Sequence, residues 1–561
     1  PGHLPDADFG LFQRFGGEVV GLCPRAYVIP IVARFCPSND GIKSGYKELF
    51  FGERTLNAIS VTSLGSIMPE IILLVGGLLI LILDTAMSDE SDSGRGYMAI
   101  SVVFLIAASV GAYLLLDIKP NTDTQILTVD PFAAFMKMII FIGMALVAIT
   151  GGGYMNRHVA GRGEFWTLFM FVTIAMGLAV SASNLLLLFL SIEFLSITSY
   201  MLVGFMREDQ RSSEAGVKYF LYGSVASSVM LYGMSLMYGA TMSLDLVQIG
   251  KAFAANKDLA TLVLPSTLLV LVGLGFKTSL APFHQWAPDT YEGAPTPITA
   301  YLSTASKAVG FAALCRVLIV GLGGYASSWV PILAGLSIFT MTVGNLIALR
   351  QTSVKRMLAY SSVAQAGYIL MGLVAIVSTA QGDLKTLSMN GLNGLLIYLF
   401  AYLFTNVGAF MVVMAIEEFT GGSEISAFEG LGQRSPALAW SMFLFLLSLA
   451  GIPLTGGFMG KFFVFGAAVQ HQYYWLAAIA VVNAAIAAVY YLNVIRAMFF
   501  VSPEVQPSAG GEAAVSSLAI SIPIQIGLLV CVVATLWIGL YPPNVIEWAN
   551  TASRSLLTLL P

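Results

Sequence analysis

A chain of 561 residues with 57% hydrophobic and only 10% charged residues carries too few charges to coat the several soluble domains its length would otherwise make. With a mean hydropathy of +0.82 and apolar runs of about 20 residues recurring from Ser66 onward, it reads as an all-α polytopic membrane protein. The net charge of −4 excludes little. Cys23, Cys36, Cys315 and Cys531 include no close pair, and no phosphate or dinucleotide loop follows a strand pattern, so no redox cofactor is expected in this chain.

Residues 1–60 are fairly polar and hold one short apolar stretch, AYVIPIVARF, too brief to span a bilayer and unlike a signal peptide. They form an N-terminal extension of unassigned role, in which Cys23 and Cys36 could pair if the segment is extracytoplasmic. Hydropathy then places fourteen spans near 67–84, 98–116, 131–150, 165–183, 185–205, 216–239, 260–281, 296–320, 329–349, 357–378, 391–416, 438–466, 472–498 and 518–541. Loops after odd-numbered spans hold Arg95, Arg157, Arg162, Arg207, Arg211, Arg350, Lys355, Arg356 and Arg434, with Arg496 at the exit end of span 13. Those after even-numbered spans hold only Lys119, Lys251, Lys257 and Lys385. The positive-inside rule makes the odd-span exits cytoplasmic and puts both termini on the outer face.

A weak internal repeat orders these spans. SYMLVGF (Tyr200, Leu202, Gly204) in span 5 returns as GYILMGL (Tyr368, Leu370, Gly372) in span 10. Copies five spans apart cross the membrane in opposite directions, which makes two inverted five-helix repeats. The implied divisions are 61–164 for peripheral spans 1–3, 165–322 for the first repeat, 323–500 for the second and 501–561 for the last span and tail. Span 7 has Lys277 with Pro282 after it, and span 12 has Lys461 with Pro453 before it, in GIPLTGGFMGKFF. Proline and clustered glycine predict broken helices 7 and 12, whose freed backbone groups can line a hydrated cavity.

A charge at membrane depth is costly and reads as functional unless it snorkels. Lys277 lies late in span 7 between apolar runs, Lys307 near the middle of span 8, Glu193 in span 5, Lys218 at the start of span 6 and Lys461 in span 12. Glu193 and Lys218 make a candidate ion pair, either a proton-handling pair or a static clamp between spans 5 and 6. Together the five residues suggest a polar path along the midplane. His284 is a possible relay, with an interfacial structural histidine as the alternative. Ser303, Thr304, Ser306, Tyr360, Ser361, Ser362 and Gln365 could hold water between the charges or serve packing.

The runs KTSLAPFHQWAPDTYEGAPTPITAYLSTASKA, SIEFLSITSYMLVGF with SSEAGVKYFLYG, and NLIALRQTSVKRMLAYSSVAQAGYILMGL resemble the antiporter-like membrane subunits of respiratory complex I. The similarity is to the subunit N type (subunit 2 in mitochondria) of proton-pumping NADH:quinone oxidoreductase and spans about residues 60–545. It implies a fourteen-helix membrane-arm subunit with linked half-channels. By that resemblance Glu193 and Lys218 form the modulating pair, Lys277 is the central proton-binding lysine, Lys307 connects, and Lys461 serves the second half-channel. Sister subunits often place histidine where Lys307 stands, and one type places glutamate where Lys461 stands, so both lysines favour subunit N. The resemblance further implies partner subunits that carry flavin and iron–sulfur clusters, sister antiporter-like subunits, a bilayer and no nucleic acid, in an energy-coupling membrane such as the bacterial inner membrane. Two rivals remain. One is a subunit of an Mrp-type cation/proton antiporter, and the other is a structural membrane subunit with inert lysines.

Overall fold

The computed structural model describes residues 65–559 except 66, 87–92, 119–125, 160–161, 257–258, 377–389 and 502–519. The N-terminal extension with Cys23 and Cys36, and the loop lysines Lys119, Lys257 and Lys385, lie outside the described residues.

Helices begin where the sequence supplies a short polar side chain to accept the first free N–H groups. After α1 (Met68–Ala86) and α2 (Ser93–Leu114) comes α3 (Pro131–His158), capped by Asp130 with proline at its first position. Helix α4 (Arg162–Ser181) leads to α5 (Leu185–Val203), capped by Asn184, and α6 (Gln210–Thr241), capped by Asp209. A short amphipathic helix α7 (Leu246–Ala255), absent from the sequence expectation, precedes α8 (Ala260–Thr278). Next come α9 (Trp286–Gly293), α10 (Thr296–Ser303), α11 (Ala305–Cys315) and a π-helical turn at Arg316–Gly321. The second half holds α12 (Ala326–Ala348), α13 (Val354–Val374), α14 (Gly391–Thr420) and the single turn α15 (Leu431–Arg434). It ends with α16 (Pro436–Ala450), α17 (Gly456–Gln470), α18 (Tyr474–Phe500), α19 (Ile522–Leu540) and a C-terminal helix α20 (Pro543–Leu557), which the sequence expectation left as tail.

Among the described residues, thirteen helical segments, with 296–321 taken as one, are long and apolar enough to cross a membrane. The fourteenth crossing, span 12, is split into α16 and α17 of 15 residues each, about 22 Å apiece and too short alone. Helix α16 stops at Gly451, whose φ of +90° only glycine adopts without strain. Span 7 is broken as expected, α8 ending at Thr278 and α9 starting at Trp286. Span 8, expected to be continuous, is also interrupted: Thr304 leaves helical geometry (φ −122°, ψ −78°). No proline sits at that interruption; instead Ser303 and Thr304 turn their hydroxyls back onto the Ala300 carbonyl (2.9 and 2.7 Å), competing with the helical ladder.

Helices α3, α13 and α14 and the segment 296–321 are buried on nearly all sides, whereas α1, α2, α6, α18 and α19 keep broad apolar faces exposed. A helix apolar all round is one enclosed by other helices. Close approach in this centre uses glycine: a Cβ on Gly391 would stand 2.0 Å from the Gly372 carbonyl oxygen. The broken segments therefore end inside a protein-lined interior.

Candidate functional site

Lys277 is the penultimate residue of α8 and is 2% exposed. Its ammonium donates to Ser196 Oγ (3.2 Å) and Tyr219 Oη (3.5 Å). Tyr219 stacks on Trp286 with ring centroids 4.4 Å apart, and the Trp286 indole N–H donates to the Phe276 carbonyl (3.0 Å). The break in span 7 thus folds α9 back to fix the tyrosine that Lys277 faces. Glu193 lies one turn before Ser196 on α5, so both fall on one helix face. Its Oε1 is buried with no hydrogen-bond partner, and Glu193 is the acid whose charge acts on Lys277.

Lys307, fully buried on α11, donates to the Ser362 carbonyl (2.6 Å) and Ser362 Oγ (2.7 Å) on α13. The hydroxyls of Tyr291 and Tyr402 lie near Ser362, and that of Tyr291 also near Ser279, two residues past Lys277. Neither hydroxyl closes a hydrogen bond within the protein.

Lys461, 5% exposed on α17, reaches back across the break to the last carbonyls of α16, Leu449 (2.8 Å) and Ala450 (3.0 Å). Those carbonyls have no helical partner, and a helix C-terminus carries partial negative charge, so the break itself makes the cation's seat. The Tyr368 ring lies 4.9 Å from the ammonium, and the Asn345 amide donates to its hydroxyl (2.9 Å). Between Lys307 and Lys461, Ser361 Oγ pairs with Tyr491 Oη (2.5 Å). Gln365 Nε2 donates to Tyr491 Oη (3.2 Å) and to the Leu449 carbonyl (3.0 Å), and Tyr398 donates to Gln365 Oε1.

The expected Glu193–Lys218 pair is not the one formed. Lys218, 40% exposed, pairs instead with Glu214 (2.8 Å) one turn earlier on α6 and with Asp289 on α9 (3.1 Å). Asp289 is shared with Arg356 (3.0 Å), which also holds Glu292 (2.5 Å). The return of α9 towards α6 supplies this nearer carboxylate. His284 lies in the break of span 7, 9% exposed, with Nδ1 unpartnered and no described hydrogen bond to the lysines.

On the face where odd-numbered spans exit, a cavity of about 700 Å³ is lined by Arg157, Arg211, Lys355, Glu292, Glu417 and Glu418 among others. At its floor Lys355 donates to the Ala294 carbonyl (2.9 Å) and lies 3.5 Å from Glu417, which Thr296 also reaches.

The sequence reading placed the intramembrane charges in one part of the chain and missed others. Glu70 on α1 pairs with Lys137 on α3 (2.7 Å), and Asp130 grips Arg316 through both carboxylate oxygens (2.8 and 3.2 Å), all four buried. Glu70, Lys137 and Arg316 stand inside predicted spans, which is the signal that could have found them. Among the described residues no group of three or more His, Cys, Asp or Glu could hold a metal ion.

Known proteins share this sequence and fold. The family described as "NADH:quinone oxidoreductase/Mrp antiporter, TM" matches residues 182–487. NADH-quinone oxidoreductase subunit N of Trichlorobacter lovleyi is 37% identical over 88% of this chain and 97% of its own length. NADH-quinone oxidoreductase subunit N 2 of Roseiflexus castenholzii is 43% identical over 73% of this chain and 82% of its own. A chain of respiratory complex I from Thermus thermophilus superposes with a TM-score of 0.70 at 30% identity, covering 85% of this chain and 98% of that one. A chain of the Mrp complex from a Dietzia species shares the fold alone, with a TM-score of 0.77 at 21% identity over 89% and 98% of the two chains. With relatives named subunit N matched over most of their length, this chain belongs to the subunit N family of NADH-quinone oxidoreductases.

Proposed function

We propose that this chain is a proton-translocating membrane-arm subunit of an NADH:quinone oxidoreductase, moving protons along Glu193, Lys277, Lys307 and Lys461 without a redox centre of its own. The observation that carries the reading is the buried polar series from Glu193 through Ser196, Lys277, Ser279, Tyr291, Ser362 and Lys307 to Ser361, Tyr491, Gln365 and Lys461. A static ion-pair clamp needs one acid and one base. Here three buried lysines rest on hydroxyls and carbonyls that can hold the ammonium without trapping its proton in a salt bridge.

In this scheme quinone reduction elsewhere in the complex changes the charge beside Glu193, and Glu193 changes the proton affinity of Lys277. Two unit charges ~7 Å apart at an effective dielectric of ~20 interact by about 2.4 kcal/mol. Moving one proton against 100 mV needs about 2.3 kcal/mol, so a single charge displacement is of the right size. Lys218 modulates from the exposed edge through Glu214 and Asp289, and His284 is a possible relay at the break in span 7. The divisions 61–164, 165–322, 323–500 and 501–561 serve as peripheral helices, two inverted repeats and last helix with tail. Residues 1–60 stay unassigned. The basic odd-span exits face the cytoplasm of a bacterial inner membrane, with both termini outside and flavin and iron–sulfur clusters in partner subunits.

The Mrp-type alternative draws support from the shared fold. Sodium exchange needs carboxylates or free carbonyls along the path, whereas Glu193 is the acid beside Lys277 and the Ser362, Leu449 and Ala450 carbonyls are taken by ammonium groups. Purification through this chain in mild detergent, with companion identification and donor:quinone assay, tests the proposal. Flavin- and iron–sulfur-bearing companions in stoichiometric amount support it. Small hydrophobic antiporter companions with sodium-dependent proton exchange and no redox activity would replace it with the Mrp reading.

A further inference from the structure

The two halves of the buried path differ in how their polar atoms are satisfied. From Glu193 to Tyr402 many are unpartnered within the protein: Glu193 Oε1, Ser279 Oγ and the hydroxyls of Tyr291, Tyr301 and Tyr402. Buried groups of this kind are where ordered water is held in proteins. From Ser361 to Lys461 the hydrogen bonds close on one another. Tyr491, Gln365, Tyr398 and Lys461 all have protein partners, and Gln365 is fully buried at the centre.

In this second half the side chains are hydroxyls and an ammonium except at Gln365, a carboxamide. A carboxamide does not take up or release a proton in the physiological range, so it interrupts a chain of exchangeable protons. Its Nε2 hydrogens occupy Tyr491 Oη and the Leu449 carbonyl. Tyr491 Oη accepts from the amide and pairs with Ser361 Oγ in a bond that either hydroxyl can donate. The Leu449 carbonyl is shared: Lys461 donates to it at 2.8 Å and Gln365 at 3.0 Å. An ammonium makes the stronger, charge-assisted bond. When Lys461 gives up its proton, its bond loses the charge assistance and the competition shifts in favour of the amide.

We propose that Gln365 is a positioning residue that gates proton exchange between Lys307 and Lys461, closed while its amide bridges Tyr491 and the Leu449 carbonyl and responsive to the protonation of Lys461 through that shared carbonyl. The proton that passes when the gate opens leaves the Lys307 ammonium at Ser362, crosses the neighbouring Ser361–Tyr491 hydroxyl pair and ends on neutral Lys461; Gln365 itself gains and loses none. This deepens the proposed function and rests on it.

The test uses the whole complex, purified and reconstituted in proteoliposomes, with Gln365→Met and the isosteric Gln365→Glu, which lacks both amide donors. Two quantities are read: protons moved per electron pair during quinone reduction, and passive proton conductance under an imposed pH gradient without substrate. Loss of the gate gives a severalfold rise in passive conductance and a lower proton yield per electron pair. A merely structural role would not raise conductance in an assembled complex. Wild-type conductance and yield in an assembled Gln365→Glu or Gln365→Met complex would overturn the gate. Lys307→Ala and Lys461→Ala are run alongside. If they abolish pumping while the Gln365 variants leave both quantities unchanged, the gate alone fails. If they leave pumping intact, the midplane path fails with it.

Discussion

Arg316 ties down the far end of the interrupted span that carries Lys307, and its removal should be severe. It is 1% exposed, donates through Nη2 and Nη1 to the two Asp130 oxygens (2.8 and 3.2 Å) and through Nε to the Val180 carbonyl (2.8 Å), and lies 5.3 Å from the Phe132 ring centroid. Asp130 is completely buried and would keep only the Ala133 N–H (2.7 Å) that caps α3. Arg316→Leu therefore leaves an uncompensated buried carboxylate, a loss of about 3–5 kcal/mol. Asp130→Asn in the same chain removes that charge, keeps an oxygen for the cap and should recover most of the loss, since contacting residues are not additive. An SDS-unfolding titration of the chain in mixed micelles measures both. If Arg316→Leu alone costs no more than the roughly 0–1 kcal/mol of an exposed pair, or if the double variant is as unstable as the single one, the buried-pair reasoning is wrong.

Gly391→Val forces a side chain into the Gly372 carbonyl, 2.0 Å from where its Cβ would stand, and should cost about 1–3 kcal/mol or more by overpacking, read as lost monodisperse yield. Gly239→Ala, on α6 with nothing within 4 Å, should instead stabilise by about 0.5–1 kcal/mol. His471, between α17 and α18, is held below its ordinary pKa by burial. The unfolded chain therefore binds its proton first. Its contribution to stability is complete above the unfolded histidine's pKa of about 6.5 and is lost as pH falls below it, a slope that His471→Gln should remove from thermal denaturation scans between pH 7 and 5. Lys218→Ala removes partly exposed pairs worth about 0–1 kcal/mol, so coupled turnover should fall while yield and thermal stability stay near wild type; normal coupling would end its modulating role.

What could be read from sequence had local causes. Proline and glycine beside Lys277 and Lys461 marked the breaks in spans 7 and 12, because proline interrupts the helical ladder and glycine readily takes the positive φ that ends a helix, as Gly451 does. The break at Thr304 escaped because it depends on hydroxyls of residues that are common in packed helices. Tyr398, Tyr402 and Tyr491 escaped for a similar reason: in apolar helices a tyrosine looks like core until its hydroxyl's partner is known. Partners far apart along the chain left no pattern, as with Asp130 and Arg316. Lys218 was visible as a charge, but the carboxylate it meets depends on α9 folding back towards α6. Helix α20 is amphipathic and too polar for hydropathy; its Asn550 accepts from Asn393 at the start of α14 (2.6 Å).

The most direct measurement is the proton yield per electron pair of the reconstituted complex carrying Lys277→Ala, with assembly checked by the full set of companion subunits. Lys277 touches Ser196 and Tyr219 and feels Glu193; without it the chain from Glu193 to Lys307 has no proton-binding centre. Proton yield and quinone-coupled turnover should both fall. An assembled Lys277→Ala complex with wild-type proton yield would contradict a midplane lysine path in this subunit.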